Sequence, residues 1–416
     1  MARGGRDTGA KTLTVTPGAM RILAISTLFP NPVRPAFGNF VGNQMRAAAA
    51  IDDVDLTMIS PIGMPPWPLC LKSPYRQLRT IPPTGQVAGI VAHYPRFLLI
   101  PRVGGDTNPS RIVKAVLPLV RKLHAQQPFD LVDASFFYPD GPAAARIAAE
   151  LDLPLTIKSR GADIHYWGQR PAAIRQMLEA ADQAAGLLAV SEALKTDMIA
   201  LGMPGKKIVV HYTGLDRNRF HPIERSTARI ALAAAVPALR DLGDAPLIVT
   251  PGALIARKGQ AFAIEALSQL PGTHLALAGA GEDEASLRSL AASQSLSDRV
   301  HFLGQVSHDT LPLLLNSANA IVLPSQSEGL ANAWVEALAC GTPIVIPDIG
   351  GARELLTTPA AGRLVDREAS AIAGAVRELL AAPPSQNRVA ETVSQFSWEQ
   401  NGARIAEFWR GIVASR

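Results

Sequence analysis

Residues 324–345 read Pro324-Ser-Gln-Ser-Glu328-Gly-Leu-Ala-Asn332-Ala-Trp-Val-Glu336-Ala-Leu-Ala-Cys340-Gly-Thr-Pro343-Ile-Val345. A short apolar run, Ala320–Leu323, ends just before this stretch. A polar loop follows, and helical spacing of apolar residues starts near Leu330. Gly341 and Pro343 break that pattern, and Pro343–Ile346 is short and apolar again. Strand, loop, helix and strand in this order form one parallel α/β unit.

The same alternation extends in both directions. Downstream, Gly362–Leu364 reads as a strand and 369–381 and 398–414 as helices. Upstream, strands are expected at Leu247–Pro251, His274–Ala278 and Val300–Leu303, with helices at Gln260–Leu270 and Glu284–Ser293. A separate series covers the first half. Its strands are Met20–Ser26, Leu56–Ser60, Leu131–Ala134, Leu155–Lys158 and Gly186–Val190. Its helices are Val41–Ala50, Gly141–Leu151, Ala172–Ala181 and Glu192–Leu201. Residues 61–110, rich in Pro and Gly, read as mostly loop. Residues 216–245 are less periodic and read as a boundary. Two such series predict two doubly wound α/β domains. The expected division is 20–215 with 398–416 as a returning helix, then 216–397. In these folds ligands bind at the carboxyl ends of the strands.

The chain of 416 residues carries a net charge of +5, a basic balance that suits an anionic substrate or membrane surface. No basic arm interleaved with aromatics is present, so nucleic acid is not an expected partner. Two cysteines, Cys70 and Cys340, imply no disulfide framework. Residues 1–19 lack an apolar core and read as a disordered leader rather than a signal peptide. No run of 18 or more apolar residues occurs, so no membrane-spanning helix is expected. The expected location is cytoplasmic, with peripheral association at the inner membrane face compatible with the charge.

Several strand-to-helix loops carry residues suited to an anionic, hydroxyl-rich ligand. Glu328 precedes a helix and Glu336 lies within it. A carboxylate can accept hydrogen bonds from vicinal hydroxyls, and a helix N-terminus favours an anion. The alternative is a capping glutamate and a solvated helical one. Arg257 and Lys258 follow a strand, where two fixed cations would suit an anionic group; the alternative is an exposed basic pair. Arg160 and Asp163 also follow a strand, as reacting-site residues or as a structural ion pair. Asp53-Val54-Asp55 has metal-motif spacing but stands at the start of a strand without a supporting pattern, and reads as a solvated loop.

Taken together these segments resemble the retaining glycosyltransferases of family four, with the GT-B fold: two Rossmann-like domains facing a cleft. Glu328 and Glu336 match the Glu-x7-Glu motif. Gly252–Gly259 resembles the phosphate-binding loop, Gly279-Ala-Gly281-Glu282 the loop after the next strand, and Phe37-Gly38-Asn39-Phe40 the glycine loop. Thr213–Pro222, Phe302-Leu-Gly304 with Val306, Ser191-Glu192 and Gly350-Gly351-Ala-Arg-Glu354 also match. The resemblance implies sugar transfer from a nucleotide-sugar donor of UDP or GDP type to a glycan, lipid-linked or small acceptor, with no cofactor and no metal, in polysaccharide or glycolipid assembly. It implies Glu328, Arg257, Lys258, Arg160 and Asp163 at the reacting centre. For the donor it implies Glu336, Gly38, Gly252, Gly279, Gly304, Val306, Gly329, Leu330, Ala331 and Asn332. The sequence departs from the family at Ala253, often Arg, and at Asp133-Ala-Ser135 and Arg160–Asp163, where relatives show histidines. Those departures motivate the alternative of a sugar-nucleotide-binding partner subunit without turnover.

Overall fold

The structure, a computed structural model, describes residues 18–101, 104–307 and 309–416. The expected leader lies outside the described residues except for Gly18 and Ala19.

Two sheets organise the chain. The first contains β1 (Met20–Ile25), β2 (Val54–Ile59), β4 (Thr84–Val87), β5 (Ile90–His93), β7 (Leu131–Ala134), β8 (Leu155–Lys158), β9 (Gly186–Ala189) and β10 (Ile208–Val210), in the spatial order β10-β9-β8-β7-β1-β2-β5-β4. A small parallel pair, β3 (Ile62–Met64) and β6 (Arg96–Leu98), lies beside it. The second sheet contains β11 (Leu247–Pro251), β12 (His274–Ala278), β13 (Val300–Gly304), β14 (Ala320–Val322), β15 (Ile344–Ile346) and β16 (Gly362–Leu364), ordered β13-β12-β11-β14-β15-β16. All pairings are parallel except β4 with β5. Strands such as β7, β8, β9 and β11 are buried along their whole length. Helices therefore cover both faces, and these strands read as mainly apolar runs.

Residues 61–110 are not mostly loop. They supply four strands, and β4 and β5 form a two-residue hairpin through Ala88 (φ 52°) and Gly89 (φ 85°). Both central residues have positive φ, as this tight turn demands. Alanine at its first position hid the signal. Residues 216–245 likewise contain a helix, Arg225–Ala235, with Glu224 accepting from the Ser226 and Thr227 amides at its start. An alanine-rich segment has weak periodicity, which is why it reads as featureless. It packs on Thr310–Ser317 beside the second sheet.

The last helix, Trp398–Ala414, returns to the first sheet. Trp409 is fully buried there and its Nε1 donates to Asp133 Oδ1 at 3.2 Å. Trp398 lies over Gly214, where an added methyl would come within 2.1 Å of the indole. No helix among the described residues is long and apolar enough to cross a membrane.

Candidate active site

The order of the second sheet reverses direction between β11 and β14, and a crevice opens at such a switch point. There, at the carboxyl ends of β11 to β14, lies a cavity of about 670 Å³. Its floor is backbone. A methyl on Gly279 would sit 1.8 Å from the Gly252 oxygen, so the two loops approach as only glycine permits. Gly252, Gly279 and Val306 line the cavity, together with Leu330, Ala331 and Asn332 at the start of the helix Asn332–Ala339. No side chain caps that helix, and its first residues border the cavity with their N–H groups free of a side-chain partner.

Lys258 and Glu328 meet in this cavity. Lys258 Nζ donates to Glu328 Oε1 at 2.5 Å, with both side chains largely covered. Arg257 does not line the cavity. Its Nη1 donates to the Ser327 carbonyl at 2.6 Å and lies 3.5 Å from Glu328 Oε1, so it braces the Glu328 loop from outside. Glu336, one turn into the helix, also lines the cavity. Burial raises its carboxyl to about 7, with the Arg219 charge opposing. Gly304 pairs with Gly279 through an isolated bridge and carries the chain to Gln305 and Val306. Gln305 was not anticipated; only its place after Gly304 hinted at it.

The first domain supplies the opposite wall through Ala36, Phe40, Arg160 and Val190. Gly38 lies at the start of the helix Asn39–Ala49 and borders an adjoining depression that shares Asn332 and Glu336 with the cavity. Arg160 is held by three contacts. Its Nε donates to the Ser135 carbonyl at 2.8 Å, its Nη2 to Gln44 Oε1 at 3.1 Å, and its guanidinium stacks 4.8 Å from the Phe40 ring centre. Gln44 also accepts from the buried Lys158, whose Nζ lies 2.6 Å from His211 Nδ1. Burial pushes the Lys158 amine well down.

Asp163 is not where the sequence reading put it. It is fully buried and does not line the cavity. Its carboxylate accepts from the amides of Phe137, Arg160 and Gly161 and from Ser159 Oγ. It pins the loop backbone, and the Arg160 guanidinium turns elsewhere. Asp133, where relatives show a histidine, accepts from Ser135 Oγ, Thr156 Oγ1 and Trp409 Nε1 inside the core. Of the Asp-x-Asp pair, Asp53 holds Arg410 and Asp55 holds Arg21. Among the described residues no cluster of His, Cys, Asp or Glu could hold a metal ion.

The domains touch beside the cavity. A methyl on Gly161 would lie 3.0 Å from the Gly329 nitrogen. Glu354 of the second domain accepts from the Glu192 and Ala193 amides, at 3.0 and 3.1 Å, and from Tyr212 Oη at 2.8 Å. It thus caps a first-domain helix, Glu192–Ala200, and caps contribute about 1 kcal/mol. Glu354→Ala is expected to lower stability by about 1–2 kcal/mol and to raise the radius of gyration in small-angle scattering. An unchanged radius of gyration with unchanged stability would deny the contact a role in holding the domains together.

A sheet order reversing at a backbone-floored cleft, faced by a second doubly wound domain, defines a two-domain α/β protein with its ligand site between the domains. Comparison with known proteins agrees. The profile of glycosyl transferases group 1 matches residues 237–396 and that of glycosyltransferase family 4 matches residues 77–219. This chain belongs to the group 1 glycosyltransferases of family four, and it is a transferase with the GT-B fold. A Bacillus subtilis (strain 168) protein described as a teichuronic acid biosynthesis glycosyltransferase, TuaC, is 27% identical over 92% of this chain and 90% of its own. A GDP-mannose-dependent phosphatidylinositol monomannoside mannosyltransferase of Mycolicibacterium smegmatis is 28% identical over 66% of this chain and 74% of its own. Among solved structures, sucrose-phosphate synthase from Thermosynechococcus elongatus superposes with a TM-score of 0.76 at 21% identity, covering 95% of this chain and 100% of the other. HepE of Anabaena, in complex with UDP and glucose, gives 0.71 at 20% identity, covering 94% and 99%.

Proposed function

We propose that this glycosyltransferase takes a nucleotide-sugar donor of UDP or GDP type and transfers the sugar to an acceptor hydroxyl with retention of anomeric configuration. One observation carries the reading: Lys258, Glu328, Glu336 and an uncapped helix N-terminus converge on a single cavity at the switch point. Glu336 accepts from the ribose hydroxyls. Glu328 and the amides of the Leu330–Asn332 turn hold the sugar hydroxyls. Lys258 holds the diphosphate, with Arg257 bracing the Glu328 loop. The bond from the anomeric carbon to the diphosphate oxygen breaks, and its electron pair stays on that oxygen. The acceptor oxygen bonds to the same carbon from the same face, and its proton passes to the departing phosphate oxygen. Lys258 and the helix amides offset the developing charge in a site that is already arranged. Arg160, aimed from the first domain, is placed to position the acceptor side. The names of HepE and of the mannosyltransferase, which involve UDP with glucose and GDP-mannose, support a nucleotide-sugar donor.

The test is a thermal-shift panel of UDP, GDP, ADP and their sugars on the wild type and Glu336→Ala. A nucleotide at about 100 times its Kd adds about 2.7 kcal/mol, a rise of several degrees. The expected result is a rise with one nucleotide family that the variant loses. No rise with any nucleotide overturns the proposal.

A further inference from the structure

The charge of the chain is unevenly placed. From Leu56 to Gly105 there is no Asp or Glu, while Lys72, Arg76, Arg79, Arg96 and Arg102 are present. This segment alone carries +5, equal to the net charge of the whole protein. Of the nine large hydrophobic side chains exposed among the described residues, four belong to the same segment: Trp67 at 78%, Leu69 at 41%, Leu71 at 48% and Leu98 at 49%. A fifth, Phe37, lies next to it. Lys72, Arg76 and Arg79 are exposed, and their side chains make no hydrogen bond or ion pair among the described residues.

The short elements that carry the described ones among these residues pack together. The helix Tyr75–Leu78 packs on β3 and on the turn Leu69–Leu71, and β6 pairs with β3. Arg96 ties β6 to the end of this segment through the Ile81 carbonyl. The segment follows the carboxyl end of β2, the edge at which the cleft opens. The same elements contribute Gly63, Tyr75, Leu78 and Phe97 to a depression of about 300 Å³, which Arg34 and Phe37 also line. The loop that supplies Arg34 and Phe37 also supplies Ala36 and Phe40 to the large cavity. One short loop therefore separates the depression from the candidate reacting centre.

We infer that this face docks on an anionic lipid bilayer and takes a lipid-anchored acceptor from it, an inference that rests on the transferase reading above. Exposed Trp and Leu side chains enter the headgroup boundary, with tryptophan suited to that depth. The unopposed basic residues meet the negative surface, each strengthening attachment. A second copy of the chain would bring like charges together. A nucleic acid would meet the charges, but of these exposed apolar side chains only Trp67 and Phe37 could stack on a base, while Leu69, Leu71 and Leu98 could not.

The experiment is flotation of the full chain with vesicles of pure phosphatidylcholine or of phosphatidylcholine with about 30% phosphatidylglycerol. Wild type is expected to float with the anionic vesicles and to release as salt rises. Lys72→Gln/Arg76→Gln/Arg79→Gln is expected to lower partitioning by roughly a hundredfold, at about fivefold per charge. Trp67→Ser/Leu69→Ser/Leu71→Ser is expected to bind weakly even at low salt. All substituted side chains are exposed, and melting curves verify the fold. Wild type that stays free of anionic vesicles, or both variants floating like wild type, overturns the inference. Tight binding of a single-stranded oligonucleotide with no flotation does the same and assigns the face to nucleic acid. The nucleotide thermal shift runs in parallel. A normal shift without flotation sinks only the membrane docking, whereas a missing shift sinks the transferase chemistry beneath it.

Discussion

Lys258→Ala is expected to lower kcat for sugar transfer by about 10²–10³-fold, the cost of removing one prearranged donor from a developing anion. The Lys258 ammonium sits 2.5 Å from Glu328 Oε1, and both are largely shielded from water. Arg257, at 3.5 Å and with a more exposed side chain, supplies a weaker neighbouring charge. The substitution therefore removes the shielded cation facing the diphosphate and leaves Glu328 without its close partner. An unpaired covered carboxylate is costly, so some loss of stability accompanies the loss of turnover. The two effects separate in Lys258→Ala/Glu328→Gln, which restores the melting temperature without restoring kcat. Lys258→Arg is expected to keep a measurable part of the activity. Steady-state kinetics of donor turnover is the measurement, and a kcat within about twofold of wild type for Lys258→Ala rules out the assigned role.

Glu336→Gln is expected to act in opposite directions on stability and on donor binding. Burial raises Glu336 from the ordinary carboxyl value of 4.5 to about 7. The folded protein therefore holds this proton more tightly than the unfolded chain. The resulting stability is fully present below about pH 4.5 and is lost as pH rises through about 7. Gln mimics the protonated form and escapes that loss. The variant is expected to be more stable than wild type at pH 8 by about 1–3 kcal/mol and indistinguishable at pH 4.5. Its affinity for the nucleotide should fall by about tenfold or more, because hydrogen bonds to a charged acceptor contribute about 1.5–3 kcal/mol. In wild type, nucleotide affinity should rise from pH 6 to pH 8 as the carboxylate ionises. Melting curves and titration calorimetry across this range test both halves. A variant no more stable than wild type at pH 8 removes the strain, and unchanged affinity removes the ribose contact.

The parts of the fold legible in the sequence are those with strong local signals. β1, β7, β8, β9, β11 and β12 are short, mainly apolar runs, as parallel strands covered on both faces tend to be, with Asp133 and Lys158 among the buried polar exceptions. The loops that follow them advertise themselves through glycines and charged residues, which is how Glu328, Lys258 and Gly279 were found. Residues 61–110 were opaque because β3 to β6 are only three or four residues long, with prolines between β3 and β4 and between β5 and β6. Their pairing is decided by partners distant in sequence, as when β5 joins β2. Asp163 misled for a related reason. Its type and place suit chemistry, but a carboxylate two and three residues from free amides satisfies them first.

The sequence by itself determined the class of fold, the two series of strands and the loops that carry the chemistry, since periodicity and turn chemistry act over a few residues. Only the tertiary structure decided which side chains meet. Lys258 finds Glu328 across 70 positions, Arg160 turns to Ser135 and Gln44 rather than to Asp163, and Glu354 caps a helix 161 residues away. It also packed the short elements of the 61–100 region against one another. Such pairings depend on distance in space and on the low dielectric of a covered site, which no local pattern of residues encodes.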